Sequence, residues 1–477
     1  MALATPMRSL RAIKLATALL ATSLLAQAGP LRVEHGRIVD AQGADIVLRG
    51  FNLSQHHKLP PFRTNEDPAL FTRLKAIGTN TVRLQFNWEA FEPEPGRYDE
   101  SYLDHYAGVV ARAQAAGVYV IVDIHQDAFS RWTLNGCGEG FPKWAIPPGT
   151  PTAEPDNGAK CAGWPFQAVI FQRGTLNRAF DAFMQPGNFA RERYMQVLER
   201  LATRFVNSPN VIGYEPLNEP MGSTAMLVQL YRDAAARVRT IDPSAILFLD
   251  SEIWTGSGLE DTKLPNPDIP NIVFAPHYYD ALIYLKGWTG LRYEWLAARN
   301  RDLAKQWGAA VLLGEFGAPP SAITPAYIKQ VYDDLDRFGE SGTQWSYTPE
   351  WNPKDLDGWN REDLSVVDDQ GRLRNNFVPR PHVPRTAGPR GTWTQRDALL
   401  WFSPASLGYR WQHDPAKGQT EVFIPATHLP ASGTPTWSVQ PASARCSWQA
   451  NERVLRCGAP HAGEVSVNVT LSRNVGS

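Results

Sequence analysis

The sequence VIGYEPLNEP, residues Val211–Pro220, is an apolar run that ends abruptly at the polar pair Asn218-Glu219. A second run of the same form, AVLLGEF at Ala310–Phe316, carries Glu315 near its C-terminal end. Strands buried on both faces of a parallel sheet show continuous apolar runs of this kind. Because the carboxyl ends of parallel strands meet at one edge, we expect Glu219 and Glu315 to lie close together.

The composition is that of a globular protein with a large core. The chain has 477 residues, of which 43% are hydrophobic and 20% charged, which is enough for two or three domains. The net charge of −1 argues against nucleic acid or an anionic membrane surface as the main partner. Aromatic residues make up 11% of the chain, and their flat apolar faces suit sugar rings and lipid chains.

The N-terminus has the pattern of a secretory signal. Arg8, Arg11 and Lys14 precede the apolar stretch Leu15–Leu25, and small residues around Ala28 form a cleavage site. The stretch is too short to span a membrane, and no other segment is long enough. We therefore expect residues 1–28 to be removed and the mature protein to be soluble, and secreted or periplasmic.

Alternating strand and helix patterns over about three hundred residues predict a (β/α)₈ TIM barrel. A hairpin at residues 31–47 precedes it, and we assign residues 29–376 to this domain. The predicted barrel strands are 48–53, 79–86, 118–125, 211–218, 245–251, 272–279, 310–316 and 342–347. The predicted helices are 68–76, 102–116, 189–205, 225–240, 293–307 and 325–338.

The pattern changes after Asn376 to a segment rich in Pro and Arg and then to short alternating runs. These runs predict an antiparallel β-sandwich over residues 377–477. Bracing of the barrel is the favoured role, with membrane or glycan binding as alternatives. The predicted strands are 399–402, 420–424, 454–457 and 464–471.

Four cysteines agree with export, since disulfides form in oxidising compartments. Three connectivities are open, and local pairing of Cys137 with Cys161 and of Cys446 with Cys457 is the simplest. The first pair lies in the connection 127–189, which is unusually long for a strand-to-helix connection and carries several aromatic residues, including Trp164. Long loops of this kind are usually functional, so we expect it to form a wall of the substrate cleft.

Two facing carboxyls are the requirement of a retaining glycoside hydrolase, which needs them about 5 Å apart. We assign Glu219 as the acid/base and Glu315 as the nucleophile. The Asn218 amide is placed to bind the sugar 2-hydroxyl, a contact that strengthens in the transition state.

Three polar residues on apolar strands are expected to support these glutamates. Arg83 is costly in a strand without an anion nearby, although a structural salt bridge is the alternative. His277 and Tyr279 lie two residues apart on one strand and point to one side. We expect His277 to bond Glu219 and Tyr279 to bond Glu315; a satisfied core histidine is the alternative for His277.

Further polar and aromatic residues follow other predicted strands. His125 and Asp127 end the third strand, Lys58 follows the first, and Trp345 lies on the eighth. A metal pair is an alternative for His125 and Asp127, but no further His or Cys ligand accompanies them in sequence. We therefore expect sugar-hydroxyl recognition, with Trp345 as an aromatic floor, and no metal.

Together these residues resemble glycoside hydrolase family five, and within it the endoglycoceramidases. The resemblance covers nearly all of the mature chain and implies retaining cleavage of the β-glucosyl bond between glycan and ceramide, without a cofactor. It also implies the same roles for the residues assigned above. The motifs that carry it are Phe51–Ser54 with Lys58, Arg83, Asp123–Asp127 with Ser130, Gly140–Ala145, Asn218–Pro220, His277 with Tyr279, Leu312–Gly317 and Trp345. The cysteines of the 127–189 connection and the residues flanking Tyr279 depart from the group's pattern.

Other functions stay open at this point. An exo-acting β-glucosidase on glucosylceramide or steryl glucoside, or an endoglucanase on β-glucan, would use the same scaffold. A non-catalytic carbohydrate- or lipid-binding protein is a third alternative, which the two glutamates disfavour. We expect a monomer that binds a glycolipid or oligosaccharide and contacts a lipid surface peripherally.

Overall fold

The computed structural model describes residues 30–258, 260–280, 283, 293–396 and 405–472. The predicted signal segment and the predicted strand 399–402 lie outside the described residues. No helix within these ranges is long and apolar enough to cross a membrane.

Three short N-terminal strands stand in place of the predicted hairpin, and the closed barrel of eight parallel strands that follows them confirms the predicted fold. The strands are buried because helices cover their outer faces, and every residue of the second barrel strand is buried, including Arg83. The N-terminal strands are β1 (Arg32–Glu34), β2 (Arg37–Val39) and β3 (Asp45–Ile46). The barrel strands are β4 (Arg49–Leu53), β5 (Thr81–Asn87), β6 (Tyr119–His125), β7 (Val211–Glu215), β8 (Ile246–Leu249), β9 (Ile272–Phe274), β11 (Ala310–Leu313) and β13 (Ser341–Tyr347). Two barrel strands resume after a short break, as β10 (His277–Tyr278) and β12 (Glu315–Phe316), which pair with each other.

Helices surround the barrel, and the six predicted ones are present within two residues of their predicted bounds. Local sequence sets several ends: Asn188 caps the helix that begins at Phe189, and Gly339, with φ of 63°, ends the last one. The helices are α1 (Leu70–Ala76), α2 (Trp88–Phe91), α3 (Glu100–Ala115), α4 (Trp164–Phe166), α5 (Arg173–Met184), α6 (Phe189–Phe205), α7 (Thr224–Ile241), α8 (Tyr293–Trp307) and α9 (Thr324–Phe338).

The 127–189 connection is more ordered than its length suggested. It contains short 3-10 turns, α4, a π-helical turn at Gln167–Phe171 and the whole of α5. Leu176, Phe180 and Phe183 form the buried face of α5 at helical spacing. The connection therefore carries secondary structure of its own and packs on the barrel.

The C-terminal strands form two antiparallel sheets whose apolar faces enclose a second core, so the predicted β-sandwich is confirmed. The strands are β14 (His382–Thr386), β15 (Thr392–Arg396), β16 (Ser406–His413), β17 (Thr420–Phe423), β18 (Thr436–Gln440), β19 (Arg445–Gln449), β20 (Val454–Gly458) and β21 (Gly463–Thr470). The boundary after residue 376 stays a prediction.

The N-terminal hairpin has a partner that the sequence did not reveal. Strand β3 pairs with β14, so the hairpin joins the seven-stranded sheet of the C-terminal region. Its apolar residues, such as Leu31 and Ile38, also pack on Ile121 and Ile212 at the N-terminal end of the barrel strands. This end is closed by packing, which leaves the carboxyl ends of the strands for chemistry.

Candidate active site

Glu219 and Glu315 meet at the carboxyl end of the barrel. Glu219 follows β7, and Glu315 begins β12, where it is the register partner of His277 in β10. One carboxylate oxygen of Glu219 and one of Glu315 lie within 4.8 Å of each other. Retaining enzymes hold their carboxyls about 5 Å apart, whereas inverting enzymes leave a wider gap for a water molecule. The spacing is that of a retaining site.

Arg83, on β5, links Glu315 to the barrel interior. Its Nη1 donates to Glu315 Oε1 at 2.6 Å, and its Nε and Nη2 donate to the two oxygens of Glu215, each at 2.7 Å. A further bond runs from Nη2 to Asn218 Oδ1 at 2.7 Å. Both sequence-based interpretations of Arg83 therefore hold, because it forms a structural salt bridge with Glu215 and also binds Glu315.

The predicted partners of the two glutamates are in place. The Tyr279 hydroxyl donates to Glu315 Oε2 at 2.7 Å. A hydrogen bond of 3.0 Å joins His277 Nδ1 and Glu219 Oε1. Burial lowers the pKa of His277 to about 4, so its ring is neutral near pH 7. Burial raises the pKa of Glu219 to about 8. Glu219 is thus mostly protonated near pH 7, whereas Glu315 accepts hydrogen bonds from Arg83 and Tyr279.

Asp250 is a member of this site that sequence reasoning missed. Its Oδ2 accepts the backbone N–H of Glu219 at 2.9 Å, and its Oδ1 accepts that of Ser251 at 2.7 Å. Glu219 has a φ of 39°, in the left-handed region that is unfavourable for a side-chain-bearing residue, and the Asp250 bond helps to hold it. The signal was present in the sequence, because Asp250 is a polar residue directly after the buried strand β8.

The predicted sugar-binding residues form one polar pocket beside the glutamates. Lys58 Nζ donates to Asp127 Oδ2 at 2.5 Å and lies 4.5 Å from the centre of the Trp345 ring. The His125 ring stacks on Trp345, with centroids 5.4 Å apart, and is hydrogen-bonded to Asp123 at 2.7 Å. Such a set of charged groups around an aromatic face suits a polyhydroxylated ring.

Asn218 connects this pocket to the acid/base. Its Nδ2 donates to the carbonyl of Gln126 at 3.0 Å and lies 3.5 Å from His125 Nε2. Its side chain is therefore fixed from two sides, by Arg83 and by Gln126. Contact between this amide and a sugar 2-hydroxyl stays a prediction.

The expectation that no further His or Cys accompanies His125 was wrong, because His57 lies beside it, together with Glu139. Neither has a sequence pattern that marks it. Burial opposes protonation of His125, but Asp123, Asp127 and Glu139 outweigh burial and raise the pKa of its ring to about 10. A protonated ring donates hydrogen bonds from both nitrogens, which agrees with hydroxyl recognition.

Trp164 reaches the site from the 127–189 connection. Its ring packs on Trp359 with centroids 5.1 Å apart, and its Nε1 donates to Glu362 Oε1 at 2.7 Å. Both predicted disulfides are present: Cys137–Cys161 closes this connection, and Cys446–Cys457 joins β19 to β20. The wall predicted from the aromatic residues is thus built from two loops, the second of which follows β13 and had not been assigned a role.

Comparison with known proteins places this site in a family. The model of the family described as cellulase (glycosyl hydrolase family 5) matches residues 39–351. The chain belongs to glycosyl hydrolase family 5. It is 25% identical to endoglycoceramidase I of Rhodococcus hoagii (strain 103S) over 476 residues, which cover 94% of this chain and 89% of that protein.

Solved structures of an endo-glycoceramidase share the fold over most of the chain. Endo-glycoceramidase II from Rhodococcus sp., solved as a lactosyl-enzyme intermediate, has a TM-score of 0.72 at 24% identity, with 91% of this chain and 99% of that chain covered. The same protein in complex with ganglioside GM3 has a TM-score of 0.71 at 24% identity, with 92% and 99% covered. This family 5 chain is a retaining glycoside hydrolase with the barrel and sandwich of these structures.

Proposed function

We propose that this enzyme cleaves the β-glucosyl bond between the glycan and the ceramide of glycosphingolipids, with retention of configuration. The observation that carries the proposal is the Glu219–Glu315 pair, within 4.8 Å and with contrasting partners, beside a pocket for a sugar ring. Support for the lipid aglycone comes from the likeness to endoglycoceramidase I of Rhodococcus hoagii over nearly the full length.

The first step transfers the glycan to the enzyme. Glu315, ionised, attacks the anomeric carbon while the protonated Glu219 donates its proton to the glycosidic oxygen. The bond from the anomeric carbon to that oxygen breaks, and ceramide leaves as a neutral alcohol. Arg83 and Tyr279 hold the attacking carboxylate in place.

The second step returns the enzyme to its starting state. Glu219, now a carboxylate, takes a proton from water as the water oxygen attacks the anomeric carbon. The ester bond to Glu315 breaks, and the glycan leaves with its original configuration. Lys58, His125, Asp127 and Trp345 hold the sugar ring through both steps.

An exposed apolar patch beside the cleft supports contact with a lipid surface. Phe166, Ile170 and Phe171 are 60%, 58% and 73% exposed, and they lie within seven residues of Trp164, which reaches into the site. Apolar side chains clustered in this way mark interaction surfaces. In a flotation assay with neutral phosphatidylcholine vesicles, Phe171→Ser should reduce vesicle binding. Val378→Ser, at another exposed apolar residue, is the control and should not.

Product analysis tests the proposed substrate. The enzyme is incubated separately with a lactosyl- or ganglioside-type ceramide, with glucosylceramide and with β-glucan, and the released sugars are separated. We expect an intact oligosaccharide and free ceramide, and no release by Glu315→Gln. If glucose is released from glucosylceramide and no other substrate is cleaved, the enzyme is an exo-acting glucosidase. If only β-glucan is cleaved, it is an endoglucanase.

We also infer export to a secreted or periplasmic location. The two disulfides need an oxidising compartment, and the predicted signal at residues 1–28 supplies the route. N-terminal sequencing of the mature protein should give Gly29 as its first residue. The expected monomeric state stays a prediction, which sedimentation would check.

A further inference from the structure

Glu362, in the loop after β13, has one carboxylate oxygen in use and one without a partner. Oε1 accepts the Trp164 Nε1–H at 2.7 Å. Oε2 is buried, and no residue in the described part of the chain forms a hydrogen bond with it. An unpaired buried acceptor is costly and uncommon in native proteins. An acceptor of this kind at the edge of a ligand pocket is therefore suited to a donor on the ligand.

A continuous series of contacts connects Glu362 to the glutamate pair. Lys58 Nζ, bonded to Asp127, lies 4.0 Å from the centre of the Trp359 ring. The Trp359 ring packs on Trp164, which holds Glu362. Burial raises the pKa of Glu362, and the positive charge of Lys58 opposes that shift.

The loop that carries Glu362 is fixed to the 127–189 connection, the other part of the same wall. Asn360 Nδ2 donates to the carbonyl of Cys137 at 2.7 Å, and Asn157 Nδ2 donates to the carbonyl of Gly358 at 3.2 Å. The Cys137–Cys161 disulfide closes the segment that receives the first of these bonds. Glu362 is thus held in position before any ligand arrives, as a recognition group must be.

We propose that Glu362 is a specificity-determining residue whose Oε2 accepts a hydrogen bond from the sugar hydroxyl at O4 or O6. In the proposed complex the anomeric carbon lies between Glu219 and Glu315. From Lys58, which is bonded to Asp127, contacts continue through Trp359 and Trp164 to Glu362. Glu362 therefore faces the end of the ring that is farthest from the anomeric carbon. This inference rests on the proposed function, which places a glucose ring in the pocket.

The hydroxyl that Glu362 recognises decides the length of glycan that fits. A bond to O4 requires that hydroxyl to be free, so the glucose would be terminal and the enzyme would release a single sugar. A bond to O6 leaves O4 available for a further sugar, as in lactosylceramide. Either hydroxyl fulfils the inference about Glu362, but a bond to O4 would overturn the proposed substrate in favour of one with a single terminal glucose.

The test combines one substitution with deoxygenated substrates. Values of kcat/KM are measured for the wild type and Glu362→Gln with an aryl β-glucoside and with its 4-deoxy and 6-deoxy analogues. We expect Glu362→Gln to lose about tenfold to a hundredfold on the parent glucoside, as for a hydrogen bond to a charged group. On the analogue that lacks the recognised hydroxyl, the wild type should fall by a similar factor and the substitution should cost nothing more.

An equal loss on all three substrates would overturn the inference, because Glu362 would then act only through Trp164. Asp363→Asn is the matched control. This neighbouring carboxylate binds Trp351 and Arg374 instead. Its loss should leave the ratios of kcat/KM between the parent glucoside and its deoxy analogues unchanged. If thermal unfolding shows that Glu362→Gln is unstable, Glu362→Asp, which keeps the charge, is measured in its place. It should retain part of the difference in kcat/KM between the parent glucoside and the deoxy analogue.

The two proposals can fail separately. Aryl glucosides need only the chemistry of the glutamate pair, so they report on Glu362 even if no ceramide is released. Dependence on O4 or O6 without ceramide release would overturn the proposed substrate and keep the inference. Ceramide release without that dependence would overturn the inference alone.

Discussion

Glu219 and Glu315 are the same residue type, lie within 4.8 Å of each other, and have opposite surroundings. Glu315 accepts hydrogen bonds from the Arg83 guanidinium at 2.6 Å and from the Tyr279 hydroxyl at 2.7 Å. Glu219 has a hydrogen bond to His277, whose pKa burial lowers to about 4, so this partner brings no positive charge near pH 7. The two side chains therefore differ in their hydrogen-bond partners and not in residue type.

Different elements of the fold supply the neighbours of the two glutamates. Arg83 and Tyr279 reach Glu315 from β5 and from just beyond β10, and both donate. On the other side, Asp250 accepts the Glu219 N–H and adds no donor to its carboxyl group. Where the surroundings of two nearby carboxyls separate their pKa values, one serves as the acid and the other as the nucleophile.

The largest expected effect comes from removing either glutamate. Glu315→Ala should lower kcat/KM on the order of 10⁴-fold or more with every substrate, because no covalent intermediate can form. Glu219→Ala should lose about 10²–10⁴-fold with a poor leaving group and far less with dinitrophenol, which leaves without a proton. Steady-state rates with a series of aryl glycosides measure both.

Azide supplies the control for this assignment. Added to Glu219→Ala, it should intercept the glycosyl-enzyme and give a glycosyl azide of retained configuration. Added to Glu315→Ala, it should attack the substrate itself and give the inverted azide. The opposite pair of products would exchange the two roles.

Tyr279→Phe tests the Glu315 side without changing a charge. Loss of a hydrogen bond to an ionised carboxylate should reduce kcat by about tenfold to a hundredfold. The reduction should be similar for good and poor leaving groups, because both need the nucleophile. A reduction confined to poor leaving groups would show that Tyr279 serves Glu219 instead.

The pH profile tests the Glu219 side. Burial raises the pKa of Glu219 to about 8, and the protonated form is the active one. Activity should therefore fall as the pH rises through about 8, to roughly a tenth one unit higher. With a dinitrophenyl glycoside, Glu219→Gln should lack this basic limb. A limb that persists in this variant belongs to another group.

Much of the fold and of this contrast was accessible from sequence because the signals are local. Continuous apolar runs with a carboxylate near the end predicted both the barrel and its two glutamates. The two-residue spacing of His277 and Tyr279 predicted their separate partners, which the structure confirms. Local spacing also carried the pairing of Cys137 with Cys161.

Contacts between distant segments could not be found in this way. The pairing of β3 with β14 joins Ile46 to Arg385, and no pattern near either residue indicates the other. Glu362 and His57 are single polar residues, and only their neighbours on other loops indicate their roles. Helix α5 was not predicted for a different reason. Its helical spacing is visible in the sequence, but the length of the 127–189 connection favoured a loop.

Asp250→Asn tests whether the backbone of Glu219 needs Asp250, and its effect should be small. An asparagine at this position has one acceptor oxygen in place of two, so the N–H of either Glu219 or Ser251 loses its acceptor. One such bond corresponds to about a fivefold fall in kcat. The fall should appear with poor leaving groups only, since good ones do not need the proton from Glu219. Asp242→Asn is the matched control, because Asp242 precedes the same strand β8 at the opposite end of the barrel. If Asp250→Asn slows dinitrophenyl glycosides equally, Asp250 supports the whole site, and the separation between the two glutamates is less complete than their contacts indicate.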